Sequence, residues 1–188
     1  MFSKYKYIKG DVIKTIGGLI PIHKTTLLHG RSGSGKTLSI IKFLIEHNQK
    51  IMLMDFDTND EYNDMDMVHV DGYKMVQAIK SKEIKPTAFK GYVVIIDTYT
   101  KCDAALKDMS VEDLAKGLNK GGATVVVIAH TDYFSGKPAE PQTDKVFANH
   151  CACRLHLHND VKLTKTTVYL EIEKLRGKSS QLIMNWMR

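Results

Sequence analysis

Eight consecutive residues in the first quarter of the chain have the composition of a phosphate-binding loop. The segment Gly30-Arg31-Ser32-Gly33-Ser34-Gly35-Lys36-Thr37, followed by Leu38, places three glycines, a lysine and a threonine at fixed spacing. Glycine adopts backbone angles that other residues resist, so successive N–H groups can point at phosphate oxygens. Lys36 would reach the outer phosphates and the Thr37 hydroxyl would coordinate Mg²⁺. The segment therefore predicts a binding site for ATP, or a close relative, together with Mg²⁺.

Two acidic strand ends supply candidates for metal binding and for water activation. Asp97 follows the apolar run 93–96, which is typical of an aspartate that holds the water shell of Mg²⁺ next to the strand before the phosphate loop. Thr98 stands where several large groups with this loop carry a catalytic glutamate. The acid that activates water is then expected on a neighbouring strand, and Asp57 is the candidate. The alternative for Asp57 is a cap on an acid-rich turn.

The elements that must position these residues are those of an α/β domain. Runs rich in Val and Ile alternate with helical stretches, which predicts a mostly parallel sheet buried on both faces. We expect helices at 38–49 and 111–119 and strands at 25–29, 51–54, 67–70, 92–96, 124–129, 153–158, 166–174 and 181–186. The last two strands are expected to pair as a hairpin. Residues 131–146 contain glycine and prolines without periodicity, and we expect a mobile loop there.

Bulk properties restrict the class of protein. The 188 residues suit one domain, 1–188, in which residues 1–16 are an N-terminal extension and a candidate contact between subunits. No apolar stretch approaches the roughly 18 residues of a membrane helix, and the first residues lack a secretory signal, so we expect no membrane partner and a cytoplasmic location. Three cysteines do not make a disulfide framework. The net charge of +6 favours a polyanionic partner.

Six segments together resemble the RecA superfamily, the core shared by RecA and RadA recombinases and DnaB-type hexameric helicases. They are the Gly-Gly-x-x-Pro lead-in at 17–21, the phosphate loop, the strand ends 54–57, 93–98 and 127–130, and the segment 173–177. The resemblance covers residues 17–186 and implies a RecA-like three-layer P-loop NTPase fold, with a mostly parallel twisted sheet and a C-terminal antiparallel hairpin. The chain is most similar to compact, core-only members of the kind found among phage recombination ATPases.

The resemblance also implies roles for residues outside the loop. Asp57 stands at the position of the recombinase catalytic glutamate. His130 ends the strand whose last polar residue senses the γ-phosphate in the family. Lys174 and Arg176 match a Lys-x-Lys/Arg element that reaches the nucleotide site of the next subunit, where a cation stabilises charge on the transferring phosphoryl group. A basic hairpin turn is the alternative for these two residues.

In recombinases the segment after the sensor strand contacts single-stranded DNA. Here residues 131–149 mix aromatic side chains, which can stack on bases, with lysines, which can pair with phosphates. The candidate DNA-binding residues are Tyr133, Phe134, Lys137, Lys145 and Phe147. The alternative is a solvated loop whose aromatic side chains pack on the core.

A second set of potential ligands lies just before and on the strand at 153–158. It comprises His150, Cys151, Cys153, His156 and His158. Residues two apart on a strand share a face, and the Cys-x₂-Cys knuckle of many zinc sites is missing. The pattern therefore favours a core strand over a metal site.

Together these features predict an ATP- and Mg²⁺-dependent ATPase that forms a homo-oligomeric ring or filament and acts on single-stranded DNA, in phage-type recombination or strand annealing. If the protein is phage-encoded, its location would be the cytoplasm of a bacterial host. The alternatives are a hexameric DnaB-like helicase motor, a KaiC-like regulatory ATP-binding module and a small-molecule kinase. A kinase would use an arginine-rich lid, which the chain's four arginines do not suggest.

Overall fold

The structure is a computed structural model, and it describes residues 14–57, 60–132, 140–162, 165–175 and 183–186. Within these residues the helices are α1 Lys36–Glu46, α2 Gly72–Lys80, α3 Tyr99–Leu106, α4 Val111–Lys120 and α5 Lys145–His150, with 3₁₀ turns at Asp60–Tyr62 and Pro86–Phe89. The strands are β1 Thr15–Ile16, β2 Ile20–Pro21, β3 Thr25–Gly30, β4 Lys50–Asp55, β5 Val68–Asp71, β6 Tyr92–Asp97, β7 Thr124–Asp132, β8 Glu140–Pro141, β9 Cys153–Lys162, β10 Lys165–Leu175 and β11 Ile183–Trp186.

One mixed sheet forms the centre of the described chain. Its strands follow the order β11-β10-β9-β3-β7-β6-β4-β5, and β8 pairs with β7 outside this path. Along this order from β9 to β5, each strand is parallel to the next one. β10 is antiparallel to both β9 and β11. The α/β class, the mostly parallel sheet and the antiparallel C-terminal pair of strands are therefore confirmed.

Apolar side chains cover both faces of this sheet. Val93 and Ile95 of β6 pack in a cluster with residues of α1, whereas Val94 and Ile96 pack in a second cluster with residues of α2, α3 and α4. Alternate residues of a strand point to opposite faces, so a strand covered on both sides must be apolar throughout. This explains the continuous apolar run before Asp97.

The strand order corrects one expectation about the metal site. β6, which ends at Asp97, does not lie next to β3, because β7 pairs in parallel with both strands. The end of β6 and the end of β3 are therefore separated by one strand, β7. Asp97 instead reaches Thr37 in the first turn of α1.

Two further expectations about helices and loops were wrong in part. Helix α1 begins at Lys36 rather than 38, directly after Gly35, and α2 and α3 were not predicted at all. Residues 131–146 do not form one loop: β7 continues to Asp132, β8 pairs with it, and α5 begins at Lys145. The side chain of Asp144 accepts a hydrogen bond from the Val146 N–H and so caps α5. Residues 133–139 lie outside the described residues.

The described helices are all short. The longest of them, α1, has 11 residues. A bilayer-spanning helix needs about 20 apolar residues, so none of the described helices could cross a membrane.

Candidate phosphate and metal site

The phosphate loop connects the buried end of β3 to the first turn of α1. Gly33 and Gly35 have φ angles of 70° and 80°, which are left-handed values that favour glycine. Gly30 is constrained differently, because an added Cβ would lie 2.5 Å from the carbonyl oxygen of Leu157 on β9. The loop is thereby held at the N-terminus of a helix, where backbone N–H groups and the helix dipole favour an anion.

Lys36 turns back toward the loop that precedes it. Its Nζ donates hydrogen bonds to the carbonyl oxygens of Gly30, at 3.2 Å, and Arg31, at 2.7 Å. Burial lowers the pKa of Lys36, and the Asp97 carboxylate opposes that effect. A buried cation bonded only to neutral carbonyls is well placed to exchange them for phosphate oxygens, which would compensate its lost hydration.

Thr37 and Asp97 form the candidate metal-binding end of the site. Thr37 Oγ1 donates a 2.5 Å hydrogen bond to Oδ2 of Asp97, although the two residues are 60 positions apart. Burial raises the pKa of Asp97, while the Thr37 hydrogen bond lowers it. The peptide bond between Asp97 and Thr98 is cis. A hydroxyl and a carboxylate are hard oxygen ligands of the kind that Mg²⁺ prefers, so this pair fits the predicted ion.

A second carboxylate lies beside Asp97. Asp55 and Asp97 are register partners on β4 and β6, and Asp55 is only 2% exposed. Its Oδ1 accepts a 2.7 Å hydrogen bond from the backbone N–H of Asp57, and its Oδ2 lies 3.1 Å from Nε2 of His69. Asp55 was not selected from the sequence, although it stands in the same acidic strand end as Asp57. It acts on the site by holding the backbone that carries Asp57.

Asp57 itself is exposed and reaches the site from the segment after β4. It forms an ion pair with Lys101, in the first turn of α3. No sequence pattern predicted this contact, since the two residues are 44 positions apart. The structure brings Asp57 to the site, and it does so with a cation already beside the carboxylate.

These residues line one cleft of about 340 Å³ that is open to solvent. Its volume lies within the range of roughly 300–1,000 Å³ that is usual for small-molecule sites. The lining residues are Ser32, Gly33, Gly35, Lys36, Thr37, Leu38, Asp55, Asp57, Glu61, Tyr62, Asp97, Thr98 and His130. The cleft therefore unites the phosphate loop, the metal pair, the candidate base and the candidate sensor.

His130, which lines the cleft, has a buried ring nitrogen, Nδ1, without a hydrogen-bond partner among the described residues. His130 is the register partner of Gly30, so β7 carries it to the start of the phosphate loop. Burial, and then the charges of Lys36 and Lys101, lower the pKa of His130, so its ring is neutral at pH 7. Buried polar atoms are costly when unpaired, and a ligand with many oxygen atoms would satisfy this ring nitrogen.

Tyr62 contributes to the metal end of the cleft. Its ring is largely buried, and burial raises the pKa of its hydroxyl, whereas a hydrogen bond with Thr37 lowers it. No sequence pattern indicated this contact, because Tyr62 follows an acid-rich segment without periodicity. The Thr37 hydroxyl therefore has two protein contacts, Asp97 and Tyr62.

The predicted DNA-binding residues are not brought together as one exposed surface. Phe147 is 2% exposed, and its ring lies 5.0 Å from that of Tyr99, so it packs in the core and is not available for stacking on bases. Lys145 is exposed at the start of α5. Tyr133, Phe134, Lys137 and Arg176 lie outside the described residues. Lys174 is described only as a backbone position in β10.

Comparisons with protein families and with curated proteins give no match for this chain. The function must therefore be inferred from the residues of the cleft and their geometry. Two features carry that inference: the glycine-rich loop at the N-terminus of α1, and the hydrogen bond between Thr37 and Asp97 at its edge.

Proposed function

We propose that this protein is an ATP- and Mg²⁺-dependent ATPase with a RecA-like three-layer P-loop fold. The observation that carries the proposal is the 2.5 Å hydrogen bond between Thr37 and Asp97, which joins the end of the phosphate loop to an acidic strand end. A glycine-rich turn alone would indicate only a site for an anion. A hydroxyl and a carboxylate beside that turn add the ligands for the divalent cation that accompanies a nucleoside triphosphate.

Each part of the cleft has a defined task in nucleotide binding. The loop N–H groups would donate hydrogen bonds to the triphosphate, and Lys36 would exchange its bonds to the Gly30 and Arg31 carbonyls for bonds to the outer phosphates. Thr37 and Asp97 would hold Mg²⁺, which neutralises charge on the phosphates when bound. Neutral His130, near the end of β7, would donate a hydrogen bond from a ring N–H to the γ-phosphate.

Water activation is assigned to Asp57. Asp55 holds the Asp57 backbone by the 2.7 Å hydrogen bond, so the segment after β4 directs the Asp57 carboxylate toward the cleft. In that position Asp57 would orient a water molecule in line with the γ-phosphate and accept its proton. The ion pair with Lys101 must open before Asp57 can do so.

The further parts of the proposal follow from the RecA resemblance and the charge of the chain. Lys174 and Arg176 would complete the nucleotide site of a neighbouring subunit in a homo-oligomeric ring or filament, so that hydrolysis depends on assembly. The net charge of +6 favours single-stranded DNA as the polyanionic partner, in phage-type recombination or strand annealing.

Steady-state hydrolysis of ATP with Mg²⁺, with and without single-stranded DNA, tests this function. We expect hydrolysis to rise with DNA, and Lys36→Ala to lower it on the order of 100-fold or more by removing a cation that contacts the transferring phosphoryl group. Lys42→Ala is the matched control, since Lys42 is exposed on the same helix. Hydrolysis that survives Lys36→Ala would refute the ATPase assignment. Absence of DNA stimulation at every salt concentration would refute only the DNA partner.

A further inference from the structure

A cluster of metal-ligating side chains lies outside the nucleotide cleft, where β3, β9 and β10 adjoin. His29 and His156 are register partners on the parallel strands β3 and β9, and their rings stack with centroids 4.4 Å apart. Glu173 of β10 faces both rings. Its Oε2 lies 2.9 Å from Nε2 of His29, and its Oε1 lies 3.5 Å from Nδ1 of His156. Two imidazole nitrogens thus flank the two oxygens of one carboxylate.

The spacing of these atoms suits a tetrahedral ion. The three ligand atoms all lie within 4.8 Å of one another. Zinc binds nitrogen and oxygen at about 2.0–2.2 Å, which places neighbouring ligand atoms of a tetrahedron about 3.3–3.5 Å apart. The two nitrogen-to-oxygen distances, 2.9 Å to Oε2 and 3.5 Å to Oε1, differ from that value by about 0.6 Å or less. Small side-chain rotations would therefore suffice to bind an ion.

The cluster also has the support that a metal site needs. Its three ligands stand on three adjacent strands, and both His29 and His156 are buried. The second ring nitrogen of His29, Nδ1, lies 3.0 Å from the hydroxyl of Thr131. A histidine that binds a metal through one nitrogen is usually oriented by a hydrogen bond from the other. Thr131 supplies that outer contact from β7.

An ion-pair network is the competing explanation for the same residues. Nε of Arg154 lies 2.5 Å from Oε2 of Glu173, although its N–H is not aligned for a hydrogen bond. A carboxylate that binds a metal also has outer partners of this kind, so Arg154 is compatible with either arrangement. The two explanations differ in one respect that can be measured, because only a metal site takes up an ion.

We propose that His29, His156 and Glu173 bind one divalent transition-metal ion of the zinc type. Two imidazoles with one carboxylate suit Zn²⁺, whereas the hydroxyl and carboxylate of Thr37 and Asp97 suit Mg²⁺. The ion would join β10 to β3, the strand that continues at Gly30 into the phosphate loop. The proposal does not depend on nucleotide hydrolysis.

Titration of the metal-free full-length chain, without nucleotide, with Zn²⁺ and with Co²⁺ as a spectroscopic probe, tests this site. We expect one equivalent to bind, with the visible absorption of tetrahedral Co²⁺ and without the intense thiolate-to-cobalt band. That band would indicate ligation by cysteine instead and would overturn the assignment. Zn²⁺ should also raise the unfolding temperature, because it binds the folded state.

Matched variants locate the ion. His156→Ala and Glu173→Gln should each weaken Zn²⁺ binding by about 100-fold or more, since loss of an outer partner alone costs about 10- to 100-fold. His47→Gln, directly after α1, and Asp97→Asn, in the nucleotide cleft, should leave it unchanged. No saturable binding to the wild-type chain would overturn the proposal, whatever the folding of the variants, and would leave the ion-pair network. Unchanged binding in folded His156→Ala and Glu173→Gln would overturn it as well.

Discussion

Asp57 forms an ion pair with Lys101, which joins the segment after β4 to the first turn of α3. The Asp57 backbone is held at the same time by the Asp55 carboxylate, which accepts its N–H at 2.7 Å. One contact directs the side chain and the other directs the main chain. Asp57 is therefore positioned in the cleft without a ligand, and, if it is the general base proposed above, it must leave Lys101 in order to orient water.

Asp57→Asn tests whether this carboxylate is the general base. We expect hydrolysis of ATP to fall about 100-fold or more, because general-base catalysis typically contributes 10²- to 10⁴-fold, while nucleotide affinity changes little. Single-turnover hydrolysis and binding of a fluorescent ATP analogue measure the two effects separately.

Asp64→Asn is the matched control for that change, since Asp64 is an exposed acid in the same acid-rich segment. It should hydrolyse ATP like the wild-type chain. Asp57 would be a turn cap rather than a base if Asp57→Asn lost stability but kept its single-turnover rate.

Asp97→Asn should give a pH-dependent gain in stability without Mg²⁺. Burial raises the pKa of Asp97, so the folded chain holds that proton more tightly than the unfolded chain does. Wild-type stability is then lost as pH rises from the unfolded value near 3.8 through the raised folded value, and the asparagine variant avoids this loss. The free energy of unfolding of Asp97→Asn should therefore exceed that of the wild type by more as pH rises toward neutral. Urea titration at several pH values measures this difference.

A second arm of that experiment adds Mg²⁺ and ATP at pH 7. The ligands should stabilise the wild-type chain by mass action and stabilise Asp97→Asn much less, because the variant lacks a carboxylate for the ion. Equal stabilisation of both chains would exclude Asp97 as a Mg²⁺ ligand.

Local patterns predicted the parts of the site that consist of one continuous segment. The phosphate loop needs glycine where φ is positive, as at Gly33 and Gly35, and this requirement is visible in the sequence itself. The strand before Asp97 was likewise predictable, because a strand buried on both faces is apolar throughout. Both features depend only on residues that are adjacent in the sequence.

The parts that the sequence did not predict depend on long-range packing. β7 lies between β3 and β6, an order that no local pattern specifies. The contact of Tyr62 with Thr37 and that of Asp57 with Lys101 each join separate elements. Helix α2 was missed because it has only nine residues and few buried side chains, although Asp71 caps its N-terminus. Such elements are stabilised mainly by tertiary contacts rather than by their own periodicity.

Gly30→Ala should destabilise the chain by about 1–3 kcal/mol, the usual range for an overpacked site. The added Cβ would lie 2.5 Å from the Leu157 carbonyl oxygen, which is backbone in β9 and cannot turn aside as a side chain would. Gly117→Ala in α4 is the control, since there the nearest atom lies 4.0 Å away. It should stabilise the chain by about 0.5–1 kcal/mol. Urea unfolding measures both, and a Gly30→Ala chain as stable as the wild type would refute the close approach of β9 to the loop.

Phe147 provides the sharpest test of which residues after β7 contact DNA. Its ring packs against Tyr99 in the core, so Phe147→Ala should lower the free energy of unfolding by about 3–5 kcal/mol. Lys145→Ala removes an exposed cation two residues away, so it should leave stability within about 0.5 kcal/mol of the wild type. If Lys145 contacts a phosphate, Lys145→Ala should also weaken DNA binding. The slope of log binding constant against log salt concentration should then become shallower by about one. The packing described for Phe147 would be wrong if Phe147→Ala kept wild-type stability and lost only DNA affinity, since that result requires a ring that stacks on bases.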